Sequence, residues 1–278
     1  MAQRNRSEGW EHAKRTGHEN ERLVAELTKS DPSIQRRLLA CVHMEDETIV
    51  QVEYGGICEK DVECVFSGEK TKSKTDMWLY LSSGKRINVS IKKDDSGQVF
   101  LIGIDRFIHG FELQYHKTIP SEVKRAIQLY FGSAYDVPEI IRQYATKNIS
   151  LQTRKHRLVA DTLKAYDPNL ASLLISWINA NIRELFDYCF SRGLAKQPTD
   201  WAHIVWYRNM LGEFDFDTMI NIAEAQNAFL HPAVYGPRNG GSTIQLPFGF
   251  VQWHSPRKII PGNIQFHHDY DKIIKALE

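Results

Sequence analysis

The sequence predicts an α+β fold, a mixed central β-sheet flanked by helices, and three observations carry that reading. From about Arg36 to Lys93 the chain breaks into short β-rich runs separated by Gly, Ser and Lys clusters, the pattern of an antiparallel meander. From Asp167 onward, apolar residues recur every three or four positions, which marks helix. The last forty or so residues return to short strand-like runs. With no repeat or clear linker, the economical organisation is one domain spanning the whole chain. It has a core over about residues 17–135, a helical insertion over about 136–230 and a C-terminal β region over about 231–278.

In chain order, the first sixteen residues are polar and read as a loose arm. A helix is expected from near His18, burying Leu23, Val24 and Leu27. The runs LLACVHM, TIVQVEYG, VECVFSG, DMWLYL and INVSIKK read as strands. Helices are expected over Ile104 to Tyr115 and over Ser121 to Tyr130, the latter with Ser121 as cap after Pro120. A long helix should start at the Asp167-Pro168 cap signal and stop at Gly193, carrying Leu170, Leu173, Leu174, Trp177, Ile178, Ile182, Leu185 and Phe186 at three- and four-residue spacing. The segment from Phe229 to Gly241 reads as a turn and loop. Strands then cover Ile244 to Leu246, Phe250 to His254 and Gly262 to His267, before a short terminal helix.

Composition narrows the function classes. The 278 residues are 42% hydrophobic and 25% charged, values that exclude a disordered chain. No apolar stretch approaches the roughly 20 residues of a membrane span. The charged start, MAQRNRSEGWEHAKR, has no apolar signal region, which predicts a cytoplasmic protein. Thirty-five Lys and Arg balance thirty-four Asp and Glu, so an anionic partner would have to be met by local clusters. The four cysteines form no CxxC pair and read as reduced thiols.

The chemistry concentrates in Lys70 to Lys93, KTKSKTDMWLYLSSGKRINVSIKK. Two strands flank SSGK. Alternation sets Met77, Leu79 and Leu81 on one face of the first, and Asp76, Trp78 and Tyr80 on the other. Only an odd-numbered loop keeps the first set on the same side as Ile87, Val89 and Ile91. With Ser83, Gly84 and Lys85 as the loop, Asp76 would face Lys92, beside Ser90. A carboxylate and an ammonium on one sheet face are what a metal-dependent phosphodiesterase needs: the acid holds Mg²⁺, and the lysine positions or deprotonates the attacking water. Ser90 occupies the position where a second acid is expected. Glu21, flanking the apolar stripe of the first helix, is the candidate for a supplementary carboxylate; the alternative for it is an ordinary surface glutamate.

Several short motifs in the same order along the chain resemble the type II restriction endonucleases of the PD-(D/E)XK superfamily, in particular the small enzymes that cut CG-containing tetranucleotide sites. They are Gly17, Asn20 and Glu21 in the first helix; Ser67, Gly68, Lys74, Thr75 and Asp76, then Ser90 and Lys92; IDRFIHGF; SWINANIRELFDYCFSRGL; Asp200 with Trp201; and Phe248, Gly249 and Val251, then Ile264, Gln265, Phe266 and Asp269. The resemblance implies a restriction-endonuclease-like core and Mg²⁺-dependent, sequence-specific hydrolysis of double-stranded DNA to 5′-phosphate ends. Asp76 would be the principal metal ligand, with Glu21 and Ser90 beside it, and Lys92 the catalytic lysine. Ser90 departs from both the acid and the amide versions of the motif. It also implies a homodimer on DNA and a methyltransferase in the same cell that protects the host genome.

Lys70, Lys72, Lys74 and Lys93 would contact phosphates, and Gln252, His254, Arg257 and Lys258 would meet base edges in the major groove. For the lysines the alternative is a solvated loop. Two rival functions stay open: a catalytically silent DNA-binding protein on the same fold, and a structure-specific repair nuclease.

Overall fold

The computed structural model describes residues 6–55, 61–144, 156–212, 215–229, 231–254 and 262–278, with 6–16 described by backbone alone. Following the chain, helices α1 (Arg6–Ser30) and α2 (Pro32–Cys41) precede strands β1 (Ile49–Tyr54), β2 (Asp61–Glu63), β3 (Lys70–Lys72), β4 (Met77–Leu81), β5 (Arg86–Lys92) and β6 (Ser96–Gly103). Helices α3 (Ile104–Tyr115), α4 (Ser121–Phe131), α5 (Val137–Tyr144), α6 (Ala160–Tyr166), α7 (Pro168–Ala180) and α8 (Ile182–Asp187) come next. Strands β7 (Ile204–Arg208) and β8 (Asp217–Asn221), helix α9 (Ile222–Ala225), strands β9 (Val234–Tyr235), β10 (Thr243–Leu246), β11 (Gly249–His254) and β12 (Asn263–Asp269), and helix α10 (Tyr270–Leu277) complete it. The fold is mixed α+β. It divides into two compact units, Met1–Asp95 with Phe190–Ala225, and Ser96–Cys189 with Gln226–Glu278.

The first unit is built on a five-stranded mixed sheet of order β1-β4-β5-β7-β8. Its strands pair antiparallel except β5 and β7, which run parallel. A parallel pair needs a long crossover, and residues 96–189 of the second unit lie in that connection. Helices α1 and α2 supply Val24, Ala25, Ile34, Leu38 and Leu39 to a core shared with Met77, Leu79, Leu81, Ile87, Val89, Ile91, Ile204 and Trp206. Each of the larger side chains contributes roughly 1.5–3 kcal/mol by leaving water. A one-residue slip of β4 would turn Met77, Leu79 and Leu81 out of that core, so their burial fixes the face on which Asp76 stands.

The second unit holds an antiparallel sheet of order β6-β12-β11-β10-β9. Phe107 and Phe111 each form edge-on ring contacts with Trp177 and with Tyr188, while Phe266 stacks on Phe100. Tyr188 is fully buried and Trp177 half-buried.

Several expectations are corrected. The polar start is not a loose arm, because α1 begins at Arg6. LLACVHM is helical through Cys41: Asp31 caps α2 by accepting from the Ser33 N–H at 2.8 Å, and Pro32 sits in its first turn. The hairpin β2–β3 forms a small sheet of its own and interrupts the meander. At α4 the cap position is Pro120, and the Ser121 hydroxyl donates to Glu122 instead. The long helix is broken at Asn181, and its last turn, Tyr188–Arg192, is a π-turn that ends at Gly193, where φ is +52°. The Asp167 cap is as expected, accepting from Asn169 and Leu170 N–H groups. The segment after Phe229 contributes a short strand, β9, to the second sheet. Strands β6, β7 and β8 and helices α5 and α6 were not expected. Cys64 and Cys189 are buried free thiols and Cys41 is a half-buried one; Cys58 lies outside the described residues.

Candidate active site

The site begins with the β4–β5 register. Met77 pairs with Val89 and Tyr80 with Arg86, and the Leu81 N–H donates to the Lys85 carbonyl. The loop is thus Ser82, Ser83 and Gly84. Its number is odd, so the expected faces hold, but the pairing lies two residues from the expected one and Asp76 is not opposite Lys92. The Asp76 backbone is tied to both neighbouring strands, its N–H donating to Val89 and its carbonyl accepting from Gly55. The next rung is made by its side chain: the buried Ile91 N–H donates to Asp76 Oδ2 at 2.7 Å. A carboxylate here replaces a strand carbonyl and terminates the ladder.

Lys92 reaches the same carboxylate from the other direction. Ser90 and Lys92, two apart on one strand, share a face, and Lys92 Nζ donates to Ser90 Oγ at 2.7 Å and to the Ile91 carbonyl at 3.3 Å. Ser90 Oγ stands 3.3 Å from Asp76 Oδ2, and Lys92 Nζ 4.0 Å from the same oxygen. All three predicted residues therefore meet at one point. The side chains of Asp76 and Lys92 are 12% and 19% exposed, so the pair lies at the surface with little water around it. Fields between charges are strong in such a setting.

Glu21 lies on α1, and its Oε2 is 3.2 Å from His18 Nδ1. Its neighbour Asn20 is buried and clamps α1 to the end of β7: the Asn20 amide donates to the Arg208 carbonyl at 2.8 Å and accepts from the Met210 N–H at 2.7 Å. Asn209, between them, donates to the Lys93 carbonyl at 2.9 Å. The Glu21 turn is thereby anchored at the end of the sheet where Lys92 lies. Sequence reasoning singled out Glu21; it did not identify Asn20 or Asn209 as the clamp, although Asn20 stood in the quoted motif.

The basic residues separate on inspection. Lys72 pairs with Asp61 at 2.7 Å across β2–β3, and Lys70 is exposed on the same short strand. Lys74 is partly buried, its stem lying beside Gly193, where a Cβ would meet the lysine Cε at 3.0 Å. Lys93 is close to Asp94 at 2.9 Å. On the second unit, the Gln252 amide donates to Gln265 at 3.0 Å and lies 3.2 Å from His267 Nε2. His267 stacks on Phe250, and burial with the nearby His254 lowers its pKa. His268 is buried, and His267 is only partly exposed. Arg154, Lys155, Arg257 and Lys258 lie outside the described residues.

Among the described residues no group of three or more His, Cys, Asp and Glu side chains is gathered to hold a metal. One or two carboxylates are enough for Mg²⁺, which retains waters and takes substrate phosphate oxygens as further ligands. Asp76, the carboxylate at that point, fits such a sparse donor set and not a closed zinc site. No helix of the described residues is long and apolar enough to cross a membrane.

No family model matches the chain, and no curated protein matches it. Among solved structures it is similar to restriction endonuclease MspI in complex with its cognate DNA. Sequence identity is 13%, the likeness covers 84% of this chain and 77% of that one, and the TM-score is 0.45. A likeness this loose says nothing of individual residues.

Proposed function

We propose that this chain is a Mg²⁺-dependent endonuclease acting on double-stranded DNA, of the type II restriction class. The observation that carries the reading is the convergence of Asp76 and Lys92 on one poorly hydrated point at the end of a mixed sheet. Asp76, with Glu21, would hold the ion, which supplies Lewis-acid stabilisation of charge on the scissile phosphate. The Ile91 N–H fixes one carboxylate oxygen of Asp76 in place. Lys92, directed by Ser90, presents an ammonium that orients the attacking water and balances charge on the phosphate. Lys70, Lys74 and Lys93 position the backbone, and Gln252, His254, Arg257 and Lys258 read base edges. On this reading the protein works as a homodimer on a palindromic site, in a cytoplasm that also holds a protecting methyltransferase.

The neutral residue at position 90 favours a second reading, a DNA-binding protein without catalysis. Incubating the purified protein with unmethylated duplex DNA in Mg²⁺ separates the two. Discrete fragments support the endonuclease, a retarded but intact band the silent protein, and non-discrete cutting confined to damaged or branched DNA a repair enzyme.

A further inference from the structure

We propose that Ser90 is a positioning residue that directs Lys92 to Asp76, and that it does not ligate the metal. This rests on the endonuclease reading of Asp76 and Lys92. The argument is one of donors and acceptors. A lysine ammonium has three donors and no acceptor, and an ionised carboxylate only accepts. Ser90 Oγ lies 2.7 Å from Lys92 Nζ and 3.3 Å from Asp76 Oδ2. It must therefore accept from Lys92, and its own proton turns towards Asp76. The direction of both bonds is fixed by the neighbours.

Burial completes the argument. Ser90 is 1% exposed, against 8% for Asp76. An ion that keeps several waters needs its protein ligands at the water-accessible surface, and the Ser90 hydroxyl is beneath it. Lys92, two residues further along β5, has to fold back along its own strand to bring Nζ within 4.0 Å of Asp76. A short side chain that both accepts and donates is what holds it there. Position 90 thus departs from an acid in role as well as in residue: the site has one fewer ligand and one more guide for the lysine.

Mn²⁺ binding, followed by electron paramagnetic resonance on full-length wild type, Ser90→Ala and Asp76→Ala, tests the assignment without DNA. The expected result is binding retained in Ser90→Ala, weakened by no more than the roughly tenfold to hundredfold that losing a hydrogen bond to a ligand costs, and loss of binding in Asp76→Ala. In cleavage assays Ser90→Ala should lower kcat by up to about a hundredfold, as misplacement of a positioned group does, with KM for DNA unchanged and partial recovery in Ser90→Thr. Ser90→Cys adds a readout independent of folding losses in the alanine variant: with Cd²⁺, it should show no thiolate-to-metal absorption beyond that of wild type treated alike. Loss of Mn²⁺ binding in Ser90→Ala as complete as in Asp76→Ala, or a new Cd²⁺ band in Ser90→Cys, would overturn the assignment and leave the endonuclease reading standing. A wild type that binds no Mn²⁺ and cuts no DNA would overturn both.

Discussion

Replacing Asp76 tests how the site is held before any DNA is added. In Asp76→Ala the buried Ile91 N–H loses its acceptor, which costs about 1–3 kcal/mol. Lys92 also loses the charge 4.0 Å away. At an effective dielectric constant of about 20 that separation corresponds to roughly 4 kcal/mol of attraction, much of it recoverable because Lys92 is 19% exposed and can turn to water. We therefore expect Asp76→Ala to be less stable by about 3–4 kcal/mol. Asp76→Asn keeps an acceptor for Ile91 and should lose about 1–2 kcal/mol. The double variant Asp76→Asn/Lys92→Met should lose less than the sum of the two single substitutions, because the two side chains interact. Urea unfolding of wild type, Asp76→Ala, Asp76→Asn, Lys92→Met and the double variant measures these differences. An Asp76→Ala protein as stable as Asp76→Asn, or single effects that simply add, would refute the claim that this carboxylate is held by Ile91 and coupled to Lys92.

Three further outcomes follow. Asp167→Ala removes the cap that accepts from Asn169 and Leu170 and should cost about 1 kcal/mol, read as a lowered Tm. His267 has its pKa lowered by burial and by His254, so below pH 6.5 the unfolded chain takes up a proton that the folded one resists. Its contribution is complete above that value and declines as pH falls towards the folded pKa; His267→Asn should flatten that part of a stability-against-pH profile. Lys70→Ala, at an exposed lysine, should reduce the salt dependence of DNA binding by about one unit of slope, whereas Lys72→Ala, whose ammonium already pairs with Asp61, should reduce it less; equal slopes would argue against the distinction.

Much of the site was legible because it depends on parity. Met77, Leu79 and Leu81 alternate with Asp76, Trp78 and Tyr80, and one buried face requires an odd loop, which by itself puts Asp76, Ser90 and Lys92 on one side. The pairing itself was not legible: loops SSG and SGK have the same parity, and only the Leu81–Lys85 hydrogen bond distinguishes them. Helix caps show how a local signal can be outvoted. Asp167-Pro168 and Asp31-Pro32 carry the same signal and both cap helices, but at the second the run of Leu38, Leu39 and Val42 drew attention as β-rich. Strand β7 escaped because Ile204, Val205, Trp206 and Tyr207 are all buried: a strand covered on both faces has no alternation to read. It is also the strand that makes the sheet mixed, so the parallel pair was invisible in the local pattern. The Asn20 clamp joins residues 188 and 190 positions apart and the Asn209 clamp residues 116 apart, and no periodicity reports such bonds.

The most direct test of the central claim is digestion of unmethylated phage DNA by wild type and Asp76→Ala, each with Mg²⁺ and with EDTA, followed by sequencing of the fragment ends. The account predicts discrete fragments with 5′-phosphates and one shared end sequence, in the wild-type Mg²⁺ lane alone. Fragments that persist in EDTA or in Asp76→Ala would contradict it, as would DNA left intact in every lane.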